Sequence, residues 1–101
     1  MPKSNQFHSQ ATLDAAARLG DRLRRARKAQ RRTLADLESS SRVHRHTLAR
    51  LEHGDPSVSF GVALAILEAL GQLADLELLV SHPETQRPRI AADSEPLDRN
   101  F

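Results

Sequence analysis

His44, Arg45 and His46 stand consecutively, and Arg50 follows one helical turn after His46. Imidazole and guanidinium groups donate hydrogen bonds, and the arginine fork matches the O6 and N7 acceptors of guanine. Projected from one narrow helix, such a set suits the base edges of a major groove. Groups suited to phosphate oxygens surround it: Arg31, Arg32 and Thr33 before, Ser41 and Arg42 at the turn, and Ser57, with Ser59, after. Arg50 has a second reading, as the ion-pair partner of Glu52 or Asp55. The histidines do not read as a metal site. His44 and His46 are two apart and do not share a helical face. His46 and His53 share one but sit about 10 Å apart along the axis. No cofactor is expected. There is no cysteine nucleophile, no glycine-rich phosphate loop and no pair of carboxylates at a cleft, so no catalytic residue is assigned and an enzyme is excluded.

A readout set needs a scaffold, and the periodicity supplies one. Helix one is expected from about Thr12, its N-cap, to Gln30. Leu13, Ala16, Leu19, Leu23 and Ala26 make its apolar stripe. Arg18, Arg22, Arg24, Arg25, Arg27 and Lys28 lie on its other faces, and Asp21 is spaced to pair with Arg25. Gly20 is a candidate break in this helix. Thr33 caps helix two, Leu34 to about Ser40, with Asp36 completing a capping box. Leu34 and Leu37 face inward, and Val43 plugs the turn. Helix three spans about His44 to His53, with Thr47, Leu48 and Leu51 inside and Gly54 as its left-handed stop. Helix four spans about Phe60 to Leu70. Phe60, Ala63, Leu64, Leu67 and Leu70 form its stripe, with Val62, Ile66 and Ala69 outside. Leu73 to Val80 reads as a short fifth helix.

Apolar surplus on helices four and five marks a partner-binding face, for which Ile66, Leu70, Leu73, Leu76 and Leu79 are the candidates. Residues 1–11 and 81–101 read as flexible tails around a domain over 12–80. Pro88–Ala92 is the one tail stretch suited to adding as a strand to a partner.

The 101 residues are 39% hydrophobic and only 3% aromatic, so one modest core of Leu, Ala, Val and Ile is expected. There is no cysteine, hence neither disulfide nor thiolate metal site. No apolar run reaches membrane-spanning length and the first residues lack an apolar signal core, so a cytoplasmic location without membrane attachment is expected. Net charge is +2, but residues 1–55 hold 12 basic and 6 acidic side chains while residues 56–101 hold 3 and 7. A basic first half fits a polyanion partner; an acidic second half does not extend that surface.

With these residues in place, the chain resembles the Xre/Cro-type helix-turn-helix regulators. The spacing of Thr33, Leu37, Val43, Thr47, Leu48, Arg50, Leu51, Glu52 and Gly54 carries the resemblance, with Leu19–Arg27 similar to that family's first helix. Leu51–Gly71 looks like the version found in HipB-type antitoxins. The likeness covers about Leu19 to Val80. It implies an all-α, five-helix bundle of the lambda-repressor-like type with a central helix-turn-helix and flexible termini. It further implies a homodimer on a palindromic double-stranded DNA operator, with half-sites about 34 Å apart. It also implies repression of the chain's own operon and a kinase-like toxin as protein partner. Three residues depart from the pattern: Leu34 where Gln usually contacts DNA, Glu38 where a small Ala is usual, and Arg42 where Gly usually makes the turn. They motivate the competing expectation, a protein-interaction module with a degenerate helix-turn-helix.

Overall fold

The computed structural model describes residues 8–85. The stretches 1–7 and 86–101 of the expected tails, with Pro88–Ala92, lie outside the described residues. The elements are α1 (Gln10–Ala29), α2 (Leu34–Ser41), α3 (Arg45–Glu52), α4 (Phe60–Ala69) and a 3-10 helix (Leu73–Leu78). The architecture is all-helical, with no strand among the described residues.

Local chemistry explains where the helices start. Ser9, not Thr12, caps α1: its Oγ accepts from the Thr12 N–H at 3.1 Å, so the expected cap lies one turn inside the helix. At α2 the capping box forms as expected, with Asp36 N–H donating to Thr33 Oγ1 at 3.0 Å and Thr33 N–H donating to Asp36 Oδ2 at 2.8 Å. Ser59 caps α4 through the Val62 N–H.

Where they stop is equally local. Arg31 at φ 57° closes α1, with Arg32 N–H donating to Arg27 O and Arg31 N–H to Lys28 O. Gly54 at φ 85° closes α3 by the same pattern, through Asp55 N–H to Arg50 O and Gly54 N–H to Leu51 O. These are the paired bonds of a Schellman motif. Gly54 is also needed sterically, since a Cβ there would lie 2.6 Å from Ala17 Cα. Arg42 adopts φ 63° at the end of α2, the left-handed turn expected there.

The core is Leu23, Leu37, Leu48, Leu51, Ile66 and Leu70, with Ala26, Leu34, Val43, Val58, Val62, Ala63, Leu67 and Ala69 packed around it. α1 packs on α3, and α2 packs on both α3 and α4. Gly20 is no break. It is the point where α1 meets α3, and a Cβ there would lie 2.5 Å from Glu52 O and 2.6 Å from Leu51 O. The buried line of α1 therefore runs Gly20, Leu23, Arg27, while Leu19 is 36% exposed. The buried arginine carries a partner. Arg27 Nε and Nη2 donate to the two oxygens of Glu52 at 2.8 and 3.0 Å, and Nη1 donates to Arg32 O at 2.9 Å. The Glu52 carboxylate raises the Arg27 pKa further above its ordinary value.

The expected inner face of α4 is corrected. Ile66, placed outside by the sequence reading, is 2% exposed, and Phe60, placed inside, is 65% exposed. A helix apolar on nearly every side does not reveal by periodicity which side faces inward. Ile66 and Leu70 are thus core residues and are withdrawn from the partner-binding face, because neither has surface left to bury. The fifth element is a 3-10 turn rather than an α-helix, and it holds no fully buried residue. No described helix is long and apolar enough to cross a membrane.

Candidate nucleic-acid interface

The α2–turn–α3 unit presents the donors foreseen in the sequence, but the fold employs them differently. His44 is the N-cap of α3. Its Nδ1 accepts from the His46 N–H at 3.1 Å, so that nitrogen carries no proton and a neutral ring bears its hydrogen on Nε2. His46 is exposed, its ring 4.8 Å from that of His44 and tilted by 49°. Arg45 is exposed and donates through Nε to Glu38 Oε1 at 3.0 Å. Its Nη groups have no partner among the described residues.

Arg50 is held at the other end of α3, and its ion-pair partner is Asp55 rather than Glu52. Nε donates to Asp55 Oδ2 and Nη2 to Ser57 Oγ, each at 2.9 Å. Asp55 also accepts from the Ser57 hydroxyl at 2.6 Å and the Ser57 N–H at 2.9 Å. Those Ser57 bonds, the hydroxyl first, and then Arg50 lower the Asp55 carboxyl to about 2. Thr33 and Asp36 do the same more weakly at α2, where the Thr33 N–H bond lowers the Asp36 pKa.

Two phosphate candidates, Arg32 and Ser57, are corrected, and both donors of Ser57 already go to Asp55. Arg32 is turned into the fold: Nη1 donates to Ala69 O at 2.7 Å and to Gln30 Oε1, and Nη2 donates to Ser40 Oγ. Its charge serves the carbonyl end of α4, where cations are favoured. Ser41 Oγ accepts from the Val43 N–H at 3.1 Å, which shapes the turn and leaves its hydroxyl hydrogen for donation. Arg31 and Arg42 remain exposed, with no side-chain partner among the described residues. Thr33 uses its oxygen as an acceptor for the cap, which leaves its hydroxyl hydrogen for donation.

An open groove of about 570 Å³ joins the N-terminus of α2 to the start of α3, lined by Lys28, Arg31, Arg32, Thr33, Leu34 and Arg45 among others. It brings the end of α1, the α1–α2 turn and the first residue of α3 to one face. Lys28 was not among the sequence candidates, although its place in the last turn of α1, next to Arg31, was available as a signal. The ion pair of Arg27 with Glu52 was also missed. Its signal was the spacing of Gly20, Leu23 and Arg27 on one face. No group of three side chains suited to metal binding occurs among the described residues.

No curated protein and no solved structure gives a significant match. A family model described as a helix-turn-helix domain matches residues 18–79, more than half of the chain, from within α1 to just past the 3-10 helix. The chain belongs to that helix-turn-helix family of DNA-binding regulators.

Proposed function

We propose that this protein is a sequence-specific DNA-binding repressor that acts as a homodimer on a palindromic operator. The observation that carries the reading is the continuity of the exposed α3 donors with the basic groove at the α2 N-terminus. His46 and Arg45 reach base edges, His44 offers its Nε2–H beside them, and Arg50 adds the one edge that Asp55 and Ser57 leave open. Lys28, Arg31, Arg42 and the Thr33 and Ser41 hydroxyls contact phosphates and set the register.

Leu73, Leu76 and Leu79 form the pairing surface, widened by Leu78 and Val80. Leu73, Leu78, Leu79 and Val80 are 40%, 72%, 62% and 80% exposed, an apolar run that a second copy would cover. The narrower role, an autoregulating antitoxin of a kinase-like toxin, rests on the resemblance of Leu51–Gly71 to HipB-type antitoxins. Co-purification with the neighbouring gene product tests it.

The DNA reading is tested by gel shift against the chain's own upstream DNA and against duplexes selected from a random pool, at two salt concentrations. A salt-sensitive, sequence-dependent shift is expected; no shift on either set removes the reading. A second reading is favoured by Glu38 and Asp55, whose carboxylates occupy two of the arginines that would read bases. In it the chain is an interaction module that neutralises a partner without reading DNA sequence. Arg45→Ala separates the two, costing about 1–3 kcal/mol of specific binding if Arg45 reads a base and nothing if it does not.

A further inference from the structure

Glu38 stands on α2 and Arg45 at the first position of α3, and one ion pair spans the turn between them, Nε to Oε1 at 3.0 Å. The pair is not buried in the helix contact: the Glu38 side chain is 30% exposed and that of Arg45 55%. A guanidinium offers two different forks, Nε with Nη2 and Nη1 with Nη2. With Nε engaged by Glu38, the fork left to Arg45 is the terminal Nη1–Nη2 edge. Arg50 is held by the whole Nε–Nη2 side, Asp55 on Nε and Ser57 on Nη2, which also leaves its terminal edge open. Of the two arginines on α3, Arg45 is the one at the helix's first position, where a recognition helix reaches base edges.

We propose that Glu38 is a specificity-determining positioning residue that holds Arg45 by its Nε and turns the Nη1–Nη2 edge toward one guanine in each half-site. The inference rests on the DNA reading above and names how that reading is achieved. An unheld arginine beside Lys28 and Arg31 would fold onto the nearest phosphate as readily as onto a base. Glu38 opposes that in two ways. Its hydrogen bond limits the orientations of Arg45, and its negative charge weakens attraction to any phosphate at that place. The same carboxylate thus lowers non-specific affinity and sharpens the guanine contact.

The test uses the full chain. A duplex is selected by the wild type from a random pool. Its binding, that of the same duplex with each guanine replaced by adenine, and that of a scrambled duplex are then measured across a salt series. In Glu38→Ala, preference for one guanine should fall about tenfold, while the scrambled duplex binds more tightly and its salt slope grows by about one. Alanine is a strong helix former at this position, so α2 should persist; circular dichroism on heating checks it. Glu38→Gln keeps an acceptor but no charge. It should retain most of the guanine preference while gaining the same non-specific affinity. Arg45→Lys should lose the preference for the same guanine as Glu38→Ala, and the double variant should lose no more than either. A guanine preference that survives Glu38→Ala overturns the proposal. So does equal behaviour of the Ala and Gln variants, which would make Glu38 a charge and nothing more. If the wild type enriches no motif, the DNA reading itself fails and this inference goes with it.

Discussion

At Arg42 the backbone is left-handed, with φ 63° and ψ 22°, a region that costs an L-residue with a Cβ about 1 kcal/mol or more. Glycine would remove that cost but would also loosen the unfolded chain. Arg42→Gly is therefore expected to gain stability by about 0.5 kcal/mol, read from the urea midpoint. If the guanidinium meets a phosphate, the same change lowers affinity on all sequences alike and reduces the salt slope by about one. A gain in stability without loss of binding would remove Arg42 from the interface. Asp55 gives a second test at this scale. Its carboxyl lies at about 2 in the folded chain against 3.8 ordinarily, so the folded state binds fewer protons in that interval. Its contribution is complete above about pH 4 and is lost as the pH falls toward 2. Because Arg50 and Asp55 are partly solvated, the contribution is on the order of 1 kcal/mol. Asp55→Asn should flatten the acid limb of the stability curve in that window and leave the rest of its shape unchanged. Asp55 and Gly54 were legible as a turn in the sequence. The grip of Asp55 and Ser57 on Arg50 was one of two partnerships that sequence spacing left open.

Between elements, α1 and α3 are joined by backbone proximity at Gly20 and by the bidentate pair of Arg27 and Glu52, whose side chains are 9% and 8% exposed. This contact sets the height at which α3 stands from the bundle. Removing one charge strands the other, so Glu52→Gln should cost about 3 kcal/mol or more in chemical denaturation. Replacing both, as in Arg27→Met with Glu52→Leu, should restore most of that loss, because the desolvation cost disappears with the charges. A double variant as unstable as the single one would show that the pair stabilises the fold on its own account. The caps of α2 and the inner residues Leu37, Leu48 and Leu51 were legible because they follow from spacing within one helix. The role of Arg27 was hard to read, because it is one of six basic residues on α1 and only its spacing from Gly20 and Leu23 marks it as the one turned inward.

For the whole molecule, the apolar surplus lies at the end of the described chain, on Leu73, Leu78, Leu79 and Val80, none of which lines the basic groove. If two copies pair there, Leu79→Asp should yield a monomer in sedimentation while the melting temperature of the isolated chain stays nearly unchanged, since Leu79 contributes little to the core. Such a monomer should lose cooperative binding to a two-half-site duplex but keep the same base preference on a half-site. A wild type that sediments as a monomer at working concentrations would move the partner-binding role of this surface to another protein.

Composition, caps and helical periodicity determined that the chain is an all-helical unit with α2 and α3 joined by a short turn, and the family resemblance implied the left-handed residue at Arg42. These properties depend on residues within a few positions of each other. The tertiary structure alone decided which side of the uniformly apolar α4 is inside, which of the many arginines is buried, and which donors on α3 remain available. Those outcomes depend on partners distant in sequence: Glu52 for Arg27, the carbonyl of Ala69 for Arg32, and Glu38 for Arg45. A guanidinium has the same chemistry at every position, and only its neighbours in space determine whether it caps a helix, fills a core or faces outward to a ligand.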